Sequence, residues 1–330
     1  MSYFARSKHG FAVFALGAVL AACASSPEVQ AAAVDASIYR LLPADSVAVF
    51  GVDLGAAKAS PFYERLTAGV PVDGLEDWIA ETGFDPRQDL DGVVGAFYLA
   101  GDDTEGVIVA RGRFDTILRS PRLDETMESS GSHRGVTIYQ RRMSDGEVRG
   151  DSNSLAFLTD NLAVFGERDR VVNAVERHAA GGPSLADNAE LSGRATDAQS
   201  SGQFWMVASD SGKMLQSVPS GGDQRQARIL EIFATMSRMS LTADVVHGFE
   251  LSFSGSCDTP ENARTLAEAA RGMLALARIS LPVEEQDMLQ LLDRVIVQDM
   301  GQTFEAQVAL DSLQVEDLLD HMDSRQTAGN

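Results

Sequence analysis

Thirteen uncharged residues, Gly10–Ala22, run up to a cysteine at position 23, and that thiol is the most distinctive reactive group in the chain. Arg6 and Lys8 precede the run, and Leu20-Ala21-Ala22 close it with small or aliphatic side chains. Thirteen residues at the helical rise cover only about 20 Å, short of a hydrocarbon core of roughly 30 Å. A basic start, a short apolar stretch and small residues before the break have the layout of a secretory signal rather than a membrane span. The other cysteine is Cys257, inside Phe253-Ser254-Gly255-Ser256-Cys257-Asp258 at the end of an expected strand. If the Cys23 sulfur is committed elsewhere, no disulfide can form within the chain. Cys257 then reads as a buried or capping residue rather than a nucleophile.

Other chemistry is sparse. His133, His178, His247 and His321 are the histidines beyond residue 22, and no two lie within five residues of each other. Zinc-spaced His and Cys clusters are missing, as are H-E-x-x-H, Walker A, G-x-G-x-x-G, G-x-S-x-G and S-x-x-K motifs. No metal or cofactor is expected. Asp85-Pro86-Arg87-Gln88-Asp89-Leu90-Asp91-Gly92 has carboxylates at a spacing suggestive of calcium. Aligned on Gly92, however, an EF-hand loop would need Arg87 as its first ligand and Tyr98 as its closing bidentate one, and neither can serve. A solvated turn is the plainer interpretation. Arg149-Gly150-Asp151 reads as chance within a hairpin loop. Phe50, Phe97, Tyr98, Phe204, Trp205, Phe249 and Phe253 could line a cavity for a hydrophobic ligand, although strand alternation makes core packing the commoner use. Met236, Met239, Met273 and Met288 read as core fillers. No catalytic residue can be named.

Leu20-Ala21-Ala22-Cys23 resembles the lipobox of bacterial lipoproteins. In that family the Cys thiol receives diacylglycerol, the signal is cut before the Cys, and the new amine is acylated. The resemblance implies that Cys23 is the lipidation site and the first residue of the mature chain. Ala24-Ser25-Ser26-Pro27 puts no acidic residue beside it, which by the sorting rule of enteric lipoproteins resembles retention at the periplasmic face of the outer membrane. Further on, Leu42-Pro43-Ala44-Asp45-Ser46-Val47 resembles the opening of uncharacterised bacterial exported proteins, a family that implies no activity.

The chain of 330 residues carries a formal charge of −21, and loss of residues 1–22 with Arg6 and Lys8 would deepen it to −23. Phosphate backbones need a basic surface, so nucleic acid is excluded as a partner. Anionic lipid is equally unattractive to such a body, which leaves the acyl chains of Cys23 as the membrane contact. A hydrophobic content of 44% is that of a globular protein.

Periodicity divides the chain into a signal peptide (1–22), a lipidated Cys with a flexible Ala-rich tether (23–38), a first domain (39–182), a Gly/Ser/Asp-rich linker (183–202) with room for a short helical turn around Ala189–Leu191, a second domain (203–323) and a tail (324–330). Strands are expected at Ser46–Leu54, Val93–Ala100, Gly106–Phe114, Gly135–Arg141, Leu155–Leu158 and Asn161–Gly166. Helices are expected from Ser60-Pro61, over Leu75–Thr82 with Gly83 as C-terminal glycine, after Asp115, and over Arg168–Ala180. In the second half, strands are expected at Gln203–Ser209, Ser240–Val246, Gly248–Gly255, Arg294–Met300 and Thr303–Leu310. Helices there are expected at Gly212–Val218, Ala227–Met239, Pro260–Ala277, Pro282–Leu292 and Val315–Met322. The two halves follow one element order, so the fold class is α+β: two similar halves, each a mainly antiparallel sheet covered by helices on one face. The function this suggests is a lipid-anchored envelope protein that binds or scaffolds without catalysing. A carrier of lipid or another hydrophobic ligand is the alternative. A hydrolase with a dispersed acidic site is the second, and would require Asp or Glu side chains converging in one cleft.

Overall fold

The structure is a computed structural model that describes residues 36–68, 79–80, 83–100, 103–120, 123, 127–141, 153–210, 236–281 and 286–328. Cys23, the signal-like segment, Arg149–Asp151 and the helix expected at Gly212–Val218 lie outside the described residues. The chain divides into two compact units, Met1–Gly193 and Arg194–Asn330. It is α+β, with mainly antiparallel strands and helices packed on them.

Unit one runs β1 (Ala48–Asp53), α1 (Leu54–Ala57), α2 (Tyr63–Ala68), α3 (Pro86–Asp89), β2 (Leu90–Ala100), β3 (Asp103–Gly112), α4 (Asp115–Arg119), β4 (Met127–His133), β5 (Val136–Arg141), β6 (Ser154–Thr159), β7 (Leu162–Gly166) and α5 (Arg168–Ala180). Its strands lie in the order β1-β2-β3-β7-β6-β5-β4, and every pair is antiparallel. Five consecutive residues of β1 are buried, so both faces of that strand are covered rather than one. Phe50 stands opposite Gly95, and a Cβ at Gly95 would fall 2.2 Å from the Phe50 ring, so the glycine is what admits the aromatic. Phe84, Phe114, Ile117, Leu123, Met127 and Ala163 form a core cluster with Tyr139 and Phe157 packed against it. Ile138, Ala156 and Val164, whose strand positions alternate with those of Tyr139, Phe157 and Ala163, are also buried. The cover on one face expected from sequence is therefore cover on both faces here.

A helix α6 (Ala189–Ser201) leads to unit two, which comprises β8 (Phe204–Ala208), β9 (Met236–Asp244), β10 (Phe249–Cys257), α7 (Pro260–Ser280), α8 (Gln286–Asp293), β11 (Ile296–Met300), β12 (Thr303–Leu310) and α9 (Ser312–Ala328). Its strand order is β8-β9-β10-β12-β11. That repeats β1-β2-β3-β7-β6 of unit one: the third strand pairs not with its successor but with the last strand, after a helical crossover. Unit one differs by an added hairpin, β4-β5, at its outer edge. The similarity of the halves is thus one of topology. Thr259 caps α7, accepting from the Asn262 amide at 3.2 Å, with Pro260 in the first turn. Ala263, Leu266 and Ala267 bury against Met236, Cys257 and Phe304.

Several expectations are corrected. Met236–Met239, expected as the end of a helix, belongs to β9. Arg238 pairs with Ser256 while Met236 pairs with Cys257, so Ser237 is an extra bulged residue. The bulge puts Met236 and Met239 on one face at a spacing of three, which imitates helical period. β4, MESSGSH, was not anticipated, because a polar edge strand carries no apolar alternation. The tether ends before residue 38: Ala36–Arg40 is a 3-10 turn and Ile38 is buried. Residues 183–202, expected as a linker with a short helical turn around Ala189–Leu191, contain the division between the units but carry more structure than expected: a 3-10 turn closed by a Ser184/Asp187 capping box and then α6, with Leu185, Leu191 and Ala195 fully buried. At the other end α9 extends to Ala328, into the stretch expected as a tail.

Candidate functional site

A cleft of about 590 Å³ opens in unit one, and its lining includes Ile38, Arg40, Leu41, Arg111, Leu162, Arg177, His178 and Asp187. Five elements supply them. Arg40 ends the Ala36–Arg40 turn. Arg111 and Leu162 are paired across β3 and β7. Arg177 and His178 lie in the last turn of α5, and Asp187 closes the capping box. The Arg177 guanidinium pins the wall, with Nε and Nη2 donating to the Leu41 carbonyl at 3.1 and 2.7 Å. The neighbouring Leu42 carbonyl accepts from the Leu185 amide at 3.0 Å. Burial pulls the Arg177 pKa below its ordinary value, and the nearby Arg170 charge adds to that, with Asp45 opposing; a guanidinium remains charged regardless. No carboxylate forms an ion pair with Arg177 among the described residues. Asp187, the acidic residue of the lining, spends one oxygen on the Ser184 amide at 2.8 Å and the Ser184 hydroxyl at 3.2 Å. The cleft is therefore a locally cationic site in an acidic protein.

A second polar cluster sits where α5 begins. Tyr98, fully buried on β2, donates to Glu167 Oε2. Glu105 stands opposite Tyr98 in the β2–β3 register and hydrogen-bonds the Glu167 carboxyl. The Arg170 guanidinium carbon lies 3.5 Å from the Tyr98 ring centroid and its Nη1 is 3.3 Å from Asp45, a cation–π contact backed by an ion pair. Gly166, just before α5, lets β7 lie close to β3, because a Cβ there would meet the Gly106 carbonyl at 2.8 Å. Glu167 holds the N-cap position of α5 without any side-chain cap bond; its carboxyl is turned to Tyr98 and Glu105 instead. Burial pushes the Glu167 pKa up to about 7; the Tyr98 bond opposes the shift, Glu105 reinforces it and Arg170 opposes it. The Tyr98 hydroxyl is also pushed up, by burial first and the Glu167 bond second. Glu167 therefore holds a proton shared toward Glu105.

This pair predicts a pH dependence. The folded chain keeps the Glu167 proton to about pH 7, and an unfolded Glu releases it near 4.5. Between those limits the folded state binds more protons, so the stabilisation is complete below the unfolded pKa and is lost as pH rises to about 7. Glu167→Gln offers the same two hydrogen bonds without a charge. Thermal unfolding should find it more stable than wild type near pH 8 by on the order of 1 kcal/mol, discounted because the side chain is half in solvent. The gap should close toward pH 4.5; a gap independent of pH would contradict the shared proton.

Of the other described residues singled out by sequence, Met236 and Met239 are buried as expected of core fillers, whereas Met273 is exposed. Asp85 caps α3 through the Arg87 amide at 3.0 Å and pairs with the Arg87 guanidinium at 2.9 Å, while Asp89 binds the Asp85 amide and Arg113. These carboxylates are spent on a turn, and no group of three metal-ligating side chains occurs among the described residues. His133 and Arg134 both bind Glu176 of α5, at 2.7 Å each. Cys257 is a buried free thiol in the core of unit two. Phe50 stacks on Phe97 at 5.3 Å and Phe253 meets Phe304 edge-on at 5.9 Å, and none of the seven aromatic residues lines the cleft. Sequence missed Arg40, Arg111 and Arg177, because they come from separate elements and share no spacing. It could have found Glu105, since a tight β2–β3 hairpin places it opposite Tyr98.

No family model matches the chain, and no curated protein does. Among solved structures, crystal form I of TP0453 is similar at 10% identity, covering 89% of this chain and 99% of that one with a TM-score of 0.44. Crystal form III of TP0453 is similar at 9% identity over 87% and 97%, with a TM-score of 0.46. Crystal form IV is similar at 10% identity over 86% and 95%, with a TM-score of 0.46.

Proposed function

We propose that this chain is a lipid-anchored protein of the bacterial cell envelope that binds or scaffolds rather than catalyses, held through Cys23 at the periplasmic face of the outer membrane. The observation that carries this is the run from Arg6 to Cys23, with its basic start, thirteen uncharged residues and Leu-Ala-Ala before the thiol. Among the described residues no helix is long and apolar enough to cross a membrane. A hydrophobic-ligand carrier would use the aromatic residues as a cavity wall, and none of the seven lines the cleft described. A hydrolase would bring carboxylates to a cleft, whereas Glu105 and Glu167 bind each other and do not line the one described.

Mass spectrometry of the protein purified from its own membranes tests the anchor. The amino-terminal peptide is expected to begin at Cys23 and to carry the mass of a diacylglyceryl thioether with an acylated amine. A peptide beginning elsewhere, or Cys23 with a free thiol, overturns the proposal.

A further inference from the structure

We infer that the cleft in unit one is a binding site for a phosphate-bearing ligand, seated on Arg40, Arg111 and Arg177. The inference deepens the binding role proposed above by naming the ligand chemistry. Three guanidinium groups from three separate elements line one cleft, in a chain whose formal charge is −21. Random placement of so few cations among so many carboxylates would intersperse them with acids, yet one acidic side chain, Asp187, stands among the three arginines in the lining. Arg177 is the central case. It is half-buried, its described hydrogen bonds go to the neutral Leu41 carbonyl, and no described carboxylate pairs with it. Its Nη1 donors are not used in those bonds. A half-buried cation with no carboxylate paired to it is costly, and an anion in the cleft would lower that cost. Arginine forks match the paired oxygens of a phosphate better than a point charge does.

Size and lining narrow the ligand further. A space of about 590 Å³ is far more than one inorganic phosphate needs and lies in the range typical of small-molecule sites. Ile38, Leu41 and Leu162 give it an apolar side next to the arginines. The ligand class is therefore a phosphate ester with an attached less polar body. Such an ester can be a phospholipid headgroup or a free soluble phosphate compound. Residues 24–37 connect Cys23 to the cleft wall at Ser37, and at roughly 3.5 Å per residue they span at most about 50 Å. A lipid headgroup is then within reach of an anchored chain.

The test is calorimetric titration of the full chain, solubilised in neutral detergent, with glycerol 3-phosphate, dihexanoyl phosphatidylglycerol and inorganic phosphate. Saturable binding of one ester per chain is expected. Arg40→Gln, at an exposed residue with no described bond to the fold, should weaken it about tenfold, the effect of one lost charge-assisted contact. Arg177→Gln should weaken it at least as much, while Arg264→Gln on the exposed face of α7 should leave it unchanged. Tighter binding of the dihexanoyl lipid identifies a headgroup site, and tighter binding of glycerol 3-phosphate identifies a soluble ester; either supports the inference. Absence of saturable binding by all three, or equal loss in Arg264→Gln, overturns it. Neither result bears on the lipidation of Cys23, which the mass of the amino-terminal peptide decides separately.

Discussion

Cys23→Ser should abolish fatty-acid incorporation and leave residues 1–22 attached to the chain. In the lipoproteins that Leu20–Cys23 resembles, the thiol accepts diacylglycerol and the signal is cut before the Cys, so one atom controls both the anchor and the mature terminus. A serine hydroxyl lacks the nucleophilicity of a thiolate and does not replace it. The energetic argument is equally one-sided. Each buried acyl methylene contributes about 0.8 kcal/mol, a single myristoyl-length chain holds a protein only marginally, and two or three chains hold it durably. A formal charge of −21 disfavours adhesion of the body as a whole to an anionic surface, and among the described residues no helix is long and apolar enough to span. The measurement is incorporation of labelled fatty acid together with the intact mass of the purified chain. Wild type should be labelled and begin at Cys23; the variant should be unlabelled and heavier by residues 1–22. A variant labelled as strongly as wild type, and cut at the same bond, would refute the lipobox.

How much of the molecule could be read from its sequence depends on the kind of signal each part carries. Helices α5 and α7 were legible to within a few residues, because Val171 and Val175 in one and Ala263 and Leu266 in the other recur at helical spacing, and Thr259-Pro260 announces a start. The strands β1, β2, β3 and β7 were legible from β-branched runs bounded by turns. Where period and identity disagreed, the expectation failed. The bulge at Ser237 turned a strand into a helix on paper, and β4 had no apolar alternation to show. The cleft was invisible for another reason. Arg40, Arg111 and Arg177 are ordinary surface residues locally, and only the β3–β7 pairing and the Arg177–Leu41 bonds bring them together. The Glu167 network lies between these cases: its N-cap position could be read, but not the diversion of its carboxyl to Tyr98.

Leu191→Ala should lower the stability of the protein by about 3 kcal/mol, within the roughly 2–5 kcal/mol that buried Leu truncations cost. The prediction separates two accounts of residues 183–202. As a linker rich in Gly, Ser and Asp, the segment would tolerate the change within about 0.5 kcal/mol, as exposed positions do. As helix α6 it cannot. Asn188 accepts from the Leu191 amide at 3.1 Å and starts the helix, and Leu191, Ala195 and Ala198 then recur at helical spacing, all buried. The stripe was present in the sequence but written mostly in alanine, so a polar composition concealed it. Leu191 is the one large side chain on that stripe, and its loss leaves a void that neighbouring alanines cannot fill. Chemical denaturation of Leu191→Ala beside Asp197→Ala, an exposed position of the same helix, measures the difference. A large loss in the first and almost none in the second is expected. Equal, small effects would mean that the segment is not packed, and that the described fold is wrong between residues 189 and 201.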